Sequence, residues 1–194
     1  MKLPQQGKSR AEIQTAMREM RAKDANWREG RTFSLVYHAG DELTQVLQDA
    51  YLMFFAENGL SPIAFPSLRR FETEVIGFAA DLFHGPEAAG SMTSGGTESV
   101  LMAVKTARDW ARANKPSVTK PKMLLPITVH PAFEKAAHYF GVEAVHVPVG
   151  DDFRADVAAT RALCDDDVIL IVGSAPSYPQ GVVDPIAALA ALAV

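Results

Sequence analysis

The chain has 194 residues, 48% of them hydrophobic and 22% charged, which is enough apolar surface for one sizeable core. A net charge of −4 excludes bulk electrostatic binding to nucleic acid, and a single cysteine, Cys164, excludes an internal disulfide framework. No apolar run reaches the roughly 18 residues of a membrane span, and the polar start MKLPQQGKSR lacks the apolar centre of a signal peptide, so a soluble cytoplasmic protein is expected.

In chain order, residues 9–23 read as a charged helix with a thin apolar stripe at Ile13, Met17 and Met20, and Ser9 with Glu12 fits a capping box. Residues 24–42 are irregular, broken by Gly30 and Gly40. Residues 42–57 predict a second helix, apolar on one side and ended by Asn58-Gly59. The prolines of 60-LSPIAFP-66 predict a loop. Ser67 is placed to cap a third helix through Phe83, with Leu68, Phe71, Val75, Phe78 and Leu82 on one stripe. Residues 1–60 are read as a helical arm, and 61–194 as the first part of a larger domain.

The rhythm then changes. A helix is predicted from Thr97 to Asn114, with Val100, Val104, Ala107 and Ala111 on one face. MLLPI (123–127), EAVHVPV (143–149) and DVILIVG (167–173) read as strands, with helical patterns at 131–140 and 154–164 between them; Cys164 is read as a small helix residue near the core. Strands alternating with helices predict an α/β domain with a mostly parallel sheet. In 184-DPIAALAALAV-194, Asp184 is expected to cap a last helix with Pro185 at its first position. That helix carries no stop signal, so the chain is expected to be the N-terminal portion of a longer polypeptide.

Two segments carry chemistry. In 91-SMTSGGTES-99, hydroxyls and paired glycines run into a helix. The first N–H groups of a helix have no internal partners, and the dipole there favours negative charge. Ser94, Gly95, Gly96 and Thr97 therefore suit a phosphate, although a capped helix after a turn explains the same residues. No Gly-Lys-Ser/Thr follows and no strand directly precedes, so a nucleoside triphosphate or a dinucleotide is disfavoured. In 130-HPAFEKAAHYFG-141, His130, Glu134 and His138 stand four apart. Pro131 is expected at the first helical position, which turns His130 off the helix end and leaves too few aligned ligands for a metal. His130 instead falls between a strand end and a helix start, where α/β folds bind ligands and where an imidazole can stack on a ring.

Together these segments resemble the pyridoxal-phosphate-dependent lyases that cleave sphingosine 1-phosphate, within the fold type I group shared with group II amino-acid decarboxylases. The matching pieces are 36-VYHAGDE-42, residues 57–85, 90-GSMTSGGTESVLMAVKTARD-109, 130-HPAFEKAAHYFGV-142 and 174-SAPSYPQGVVDP-185. The resemblance implies that Ser94, Gly95, Gly96 and Thr97 hold the phosphate of pyridoxal 5′-phosphate and that His130 stacks on its ring. It implies that Tyr37, also a candidate catalytic residue, and Asn58 line a substrate pocket shared across a homodimer. The implied reaction is carbon–carbon cleavage of a phosphorylated long-chain base to a long-chain aldehyde and phosphoethanolamine.

The resemblance also marks departures. None of the eight lysines, Lys2, Lys8, Lys23, Lys105, Lys115, Lys120, Lys122 and Lys135, follows a histidine as the cofactor-anchoring lysine does in the family. The remainder of the polypeptide, or a second chain, is expected to carry it. Asp184 matches a structural aspartate rather than the partner of the pyridine nitrogen. Gln180 and Ser61 stand where the family usually or often has histidine. An amino-acid decarboxylase and a non-catalytic truncated homologue acting as a partner subunit are the alternative readings, and a metal hydrolase on His130, Glu134 and His138 is a third.

Overall fold

The computed structural model describes residues 3–31 and 36–193. Residues 32–35 of the irregular stretch and the last residue of the expected C-terminal helix fall outside the described residues. The chain divides into two compact units, Met1–Glu74 and Val75–Val194.

In the first unit, α1 spans Arg10–Arg21 and begins with the capping box expected from its sequence. The Ser9 hydroxyl accepts from the Glu12 N–H (3.3 Å), and the Glu12 carboxylate accepts from the Ser9 N–H (2.7 Å) and hydroxyl (2.6 Å). α1 buries no residue, and Ile13, Met17 and Met20 are all exposed. α2 runs Asp41–Met53, entered through Gly40 at φ +104°, a conformation that favours glycine. It stops four residues short of the expected end at Glu57. Phe54 leaves helical geometry and its ring meets Phe71 edge-on at 5.3 Å. Asn58 therefore does not end a helix; its side-chain oxygen accepts from the Leu60 N–H (3.1 Å) and starts a turn.

α3 spans Pro66–Leu82, so the boundary between the units falls within it. It begins one residue before the expected cap. Pro66, which has no N–H to leave unpaired, takes the first position, and Ser67 lies inside the helix rather than capping it. Much of its apolar stripe is open: Phe71 and Val75 are each 47% exposed, and Phe78 and Leu82 more so.

The second unit is the α/β domain that the alternation predicts. α4 (Gly96–Asn114) leads to β1 (Lys122–Pro126), α5 (Ala132–Phe140), β2 (Glu143–Val147), α6 (Val157–Leu163), β3 (Val168–Ile171) and the short α7 (Ile186–Ala190). The three strands are parallel, in the order β2-β1-β3. β1 is central, with Met123, Leu124 and Leu125 fully buried, while β2 and β3 are edge strands within the described residues. Side chains alternate across a strand. Met123 and Leu125 accordingly join one cluster with Val104 of α4, Ala136 of α5, Val142 and Val172, and Leu124 faces the opposite side. Val104 and Ala111 are the buried residues of the α4 face that the helical spacing singles out.

Several boundaries differ from the sequence reading, three of them with a structural reason. α5 starts at Ala132 with Pro131 at its cap position, one residue later than expected. Cys164 is half-buried just beyond α6, where the chain has already turned extended, rather than within the helix. Asp184 does not cap α7. Pro185 occupies the cap position, because the Asp184 carboxylate bonds to two backbone N–H groups elsewhere.

Because β1 is enclosed on both faces, truncation there leaves a cavity. Leu125→Ala is expected to lower the unfolding free energy by about 2–5 kcal/mol in urea titration, while Met20→Ala on exposed α1 stays within about 0.5 kcal/mol.

Candidate ligand site at the carboxyl edge of the sheet

α4 enters β1 through the short connection 115–121, and α5 follows β1 after the short turn 127–131, so both helices run antiparallel to the strands. Their N-termini therefore lie at the carboxyl edge of the sheet, where open α/β folds bind ligands. Consistent with parallel packing of the two helices, Arg108 in the later half of α4 lies over the ring of Phe140 at the end of α5, 5.1 Å away.

At the start of α4 the chain enters through Gly95 at φ +154°, a backbone that L side chains rarely adopt. No side chain caps this helix. The N–H groups of Gly96, Thr97 and Glu98 have no acceptor among the described residues, whereas the Ser99 N–H closes the first helical bond to the Gly95 carbonyl (3.1 Å). Apart from the adjoining backbone, no described residue lies within 4 Å of where a Cβ on Gly96 would stand. The hydroxyls are arranged around the turn rather than on the N–H groups. The Thr93 hydroxyl donates to the Gly95 carbonyl (3.1 Å) and lies 2.7 Å from the Ser99 hydroxyl. The Glu98 carboxylate accepts from the Ser94 N–H at 2.6 Å. Hydrogen bonds from the Ser94 side chain and backbone hold the Glu98 carboxyl below the usual glutamate range. The turn is thus fixed from within, and the donors it leaves unbonded suit a phosphate.

His130 follows the turn that closes β1. Its Nδ1 accepts from the Ala132 N–H (3.1 Å), and its carbonyl accepts from the Phe133 N–H (3.1 Å). The ring, one position before Pro131, thus takes the N–H of the first helical residue. Nδ1 as acceptor puts the proton of the neutral ring on Nε2. The neighbouring Thr128 was not singled out by its sequence. Its hydroxyl oxygen is shielded from solvent and has no partner among the described residues. Only the fold reveals it, because a threonine after a strand carries no sequence signal.

The spaced trio does not assemble. Glu134 accepts from His146 Nε2 (2.6 Å), and His138 lies beside the Tyr139 ring. Among the described residues no three His, Cys, Asp or Glu side chains gather to hold a metal. Tyr37 and Asn58 belong to the first unit, where Tyr37 is 78% exposed and Asn58 serves the turn described above. Of the lysines in the second unit, Lys105 and Lys122 pair with Asp109 (2.7 Å) and Asp165 (2.6 Å). Lys115 and Lys135 lie over Trp110 and Tyr139.

A parallel α/β unit with an open helix N-terminus and a histidine at its carboxyl edge is part of a fold type I large domain. The solved structure of a sphingosine-1-phosphate lyase from Burkholderia pseudomallei superposes with a TM-score of 0.85 at 32% identity, covering 100% of this chain and 46% of that one. Glutamate decarboxylase from Lactobacillus brevis follows with a TM-score of 0.79 at 25% identity, covering 99% and 45%. In sequence, sphingosine-1-phosphate lyase 1 of Rattus norvegicus is 41% identical over 193 residues, which is 99% of this chain and 34% of the relative. The resemblance read from the motifs is thereby borne out: the chain is related to sphingosine-1-phosphate lyases along nearly its whole length, and it spans about a third of that curated relative. No protein-family model matches the chain.

Two outcomes test this geometry. Gly95→Ala forces a side chain into the left-handed region and is expected to abolish binding of inorganic phosphate at residues 95–98, read as lost amide shift changes in an NMR titration. The depressed Glu98 carboxyl contributes stability fully above the ordinary glutamate range, and that contribution is lost as pH falls through the depressed value. A carboxyl-resolved titration should therefore place the Glu98 midpoint below that of an unpaired glutamate; an ordinary midpoint means the bonds to Ser94 are absent.

Proposed function

We propose that the chain forms the cofactor-phosphate and ring-holding part of a pyridoxal-phosphate-dependent lyase acting on sphingoid base 1-phosphates. The observation that carries this reading is the uncapped start of α4, with unbonded N–H groups at 96–98 on the same edge of the sheet as the His130 turn. The relationship to sphingosine-1-phosphate lyases supports the choice of substrate class. When bound, the cofactor supplies an electron sink for breaking the bond between the second and third carbons of the substrate. The chain's own residues have simpler tasks. Gly95 fixes the entry turn, and the 96–98 N–H groups with the hydroxyls of Ser94 and Thr97 orient the phosphate. His130, held by the Ala132 N–H, presents its ring for stacking.

In this reading Tyr37 and Asn58 line the substrate pocket, Tyr37 assisting proton transfer or binding the substrate phosphate, within a homodimer that shares its sites. The cofactor-anchoring lysine comes from polypeptide outside these 194 residues, in keeping with the engagement of Lys105, Lys115, Lys122 and Lys135 elsewhere. A decarboxylase is the second reading, favoured by the structural likeness to glutamate decarboxylase.

Binding is tested first. Pyridoxal 5′-phosphate should bind the chain in competition with inorganic phosphate. His130→Ala should weaken only the former, by up to about tenfold, the scale of a ring-stacking contact; equal loss of both ligands would sink the stacking role. Activity is tested by supplying the lysine-bearing remainder of a relative. Release of a long-chain aldehyde from a sphingoid phosphate, without amine from glutamate, decides for the lyase, and the reverse decides for the decarboxylase. In that assembly Tyr37→Phe should lower turnover or substrate affinity.

A further inference from the structure

Asp184 is only 2% exposed, yet no basic side chain pairs with it among the described residues. Its charge is met by backbone. One carboxylate oxygen accepts from the Ala155 N–H (2.8 Å) and the other from the Ser174 N–H (2.7 Å), partners 29 and 10 residues away in sequence. The Asp184 N–H in turn donates to the Ser174 carbonyl (2.9 Å). Both partners lie on loops that leave the carboxyl edge of the sheet. Ala155 bridges Val149 after β2 and directly precedes Asp156, which caps α6. Ser174 follows β3. The register sets Leu124 opposite Ile171, and the Val172 N–H donates to the Leu124 carbonyl. Ser174 and the His130 turn thus both lie beyond the carboxyl ends of these two paired strands. Beyond Ser174 the chain folds back through a bridge between Ser177 and Val182, with the buried Ser177 hydroxyl donating to Gln180 Oε1 (2.6 Å). Behind it, a Cβ on Gly173 would come within 2.8 Å of Ile186 and 2.9 Å of Leu189, so α7 closes the back of this loop.

We propose that Asp184 is a positioning residue for the ligand site. By holding Ser174 and Ala155 with one carboxylate, it sets the course of residues 174–178 alongside the His130 turn. That segment thereby forms a wall on the ring side of the site, away from the phosphate donors of α4. A carboxylate is required because both of its oxygens accept. An amide of the same shape accepts through one atom only and turns its NH2 toward the second N–H. The inference rests on the cofactor reading for the identity of the ligand, but the clamp itself does not.

Asp184→Asn in the 194-residue chain is the test, read by residue-resolved hydrogen exchange and by titration with two probes. The expected result is at least tenfold faster exchange at the Ser174 or Ala155 amide, with Leu124 and Leu125 unchanged. Affinity for pyridoxal 5′-phosphate should fall at least tenfold, with inorganic phosphate affinity held within twofold. Unchanged exchange at both amides overturns the clamp. Parallel loss of both ligands, or loss of neither, overturns the positioning role. If the unsubstituted chain binds neither probe, the cofactor reading fails, while the exchange measurement still decides the clamp. Asp184→Glu keeps the charge and both acceptors on a longer stem; it should give the same pattern at smaller amplitude, and it serves if Asp184→Asn does not fold.

Discussion

The second unit depends on the burial of β1. A strand whose residues are shielded on both faces can pair only with strands that bring their own covering helices, which is why parallel sheets arise from β–α–β crossovers. Met123 and Leu125 bind α4 and α5 to one face, and Leu124 commits the other. From that single constraint the placement of the site follows. Both covering helices must run against the strands, so their unsatisfied N–H groups collect at one edge of the sheet. The glycine turn before α4 and the histidine before α5 stand there because the packing leaves them no other end.

That the site is open follows from how local polar groups are used. A serine or threonine at the entry to a helix ordinarily bonds the first free N–H groups. Here the cap position is glycine, and Thr93, Ser94, Ser99 and Glu98 satisfy one another instead. The turn is therefore rigid without consuming the donors. Glu98 adds a negative charge close to them, an unfavourable neighbour for a phosphate, but its bonds to Ser94 draw it into the turn.

Much of this was legible in the sequence because the signals are local. The Ser9–Glu12 box, the helical face at Val104 and Ala111 and the three apolar strands depend on spacing alone, and they came out within a residue or two. Two of the misreadings share one cause, competition from groups distant in sequence. Asp184 was assigned to the helix beside it, but N–H groups 10 and 29 residues away hold its carboxylate. The helix expected to reach Glu57 stops at Met53, and the next residue, Phe54, packs against Phe71. The start of α4 could be read from spacing; that it is left uncapped could not.

β3 has a bearing on how this polypeptide behaves in the tube. Four consecutive branched or aliphatic residues, Val-Ile-Leu-Ile, form a strand whose outer backbone has no neighbour among the described residues. Short apolar runs of this kind, free of charge and proline, are templates for edge-to-edge joining of chains. Of the three aspartates just before it, Asp165 pairs with Lys122 at 2.6 Å and Asp167 lies 3.9 Å from the same ammonium, so among the described residues Asp166 is the gatekeeper whose charge is left to repel a second chain. Resistance to edge-to-edge joining at this strand therefore rests on a single charge, and high salt weakens it by screening.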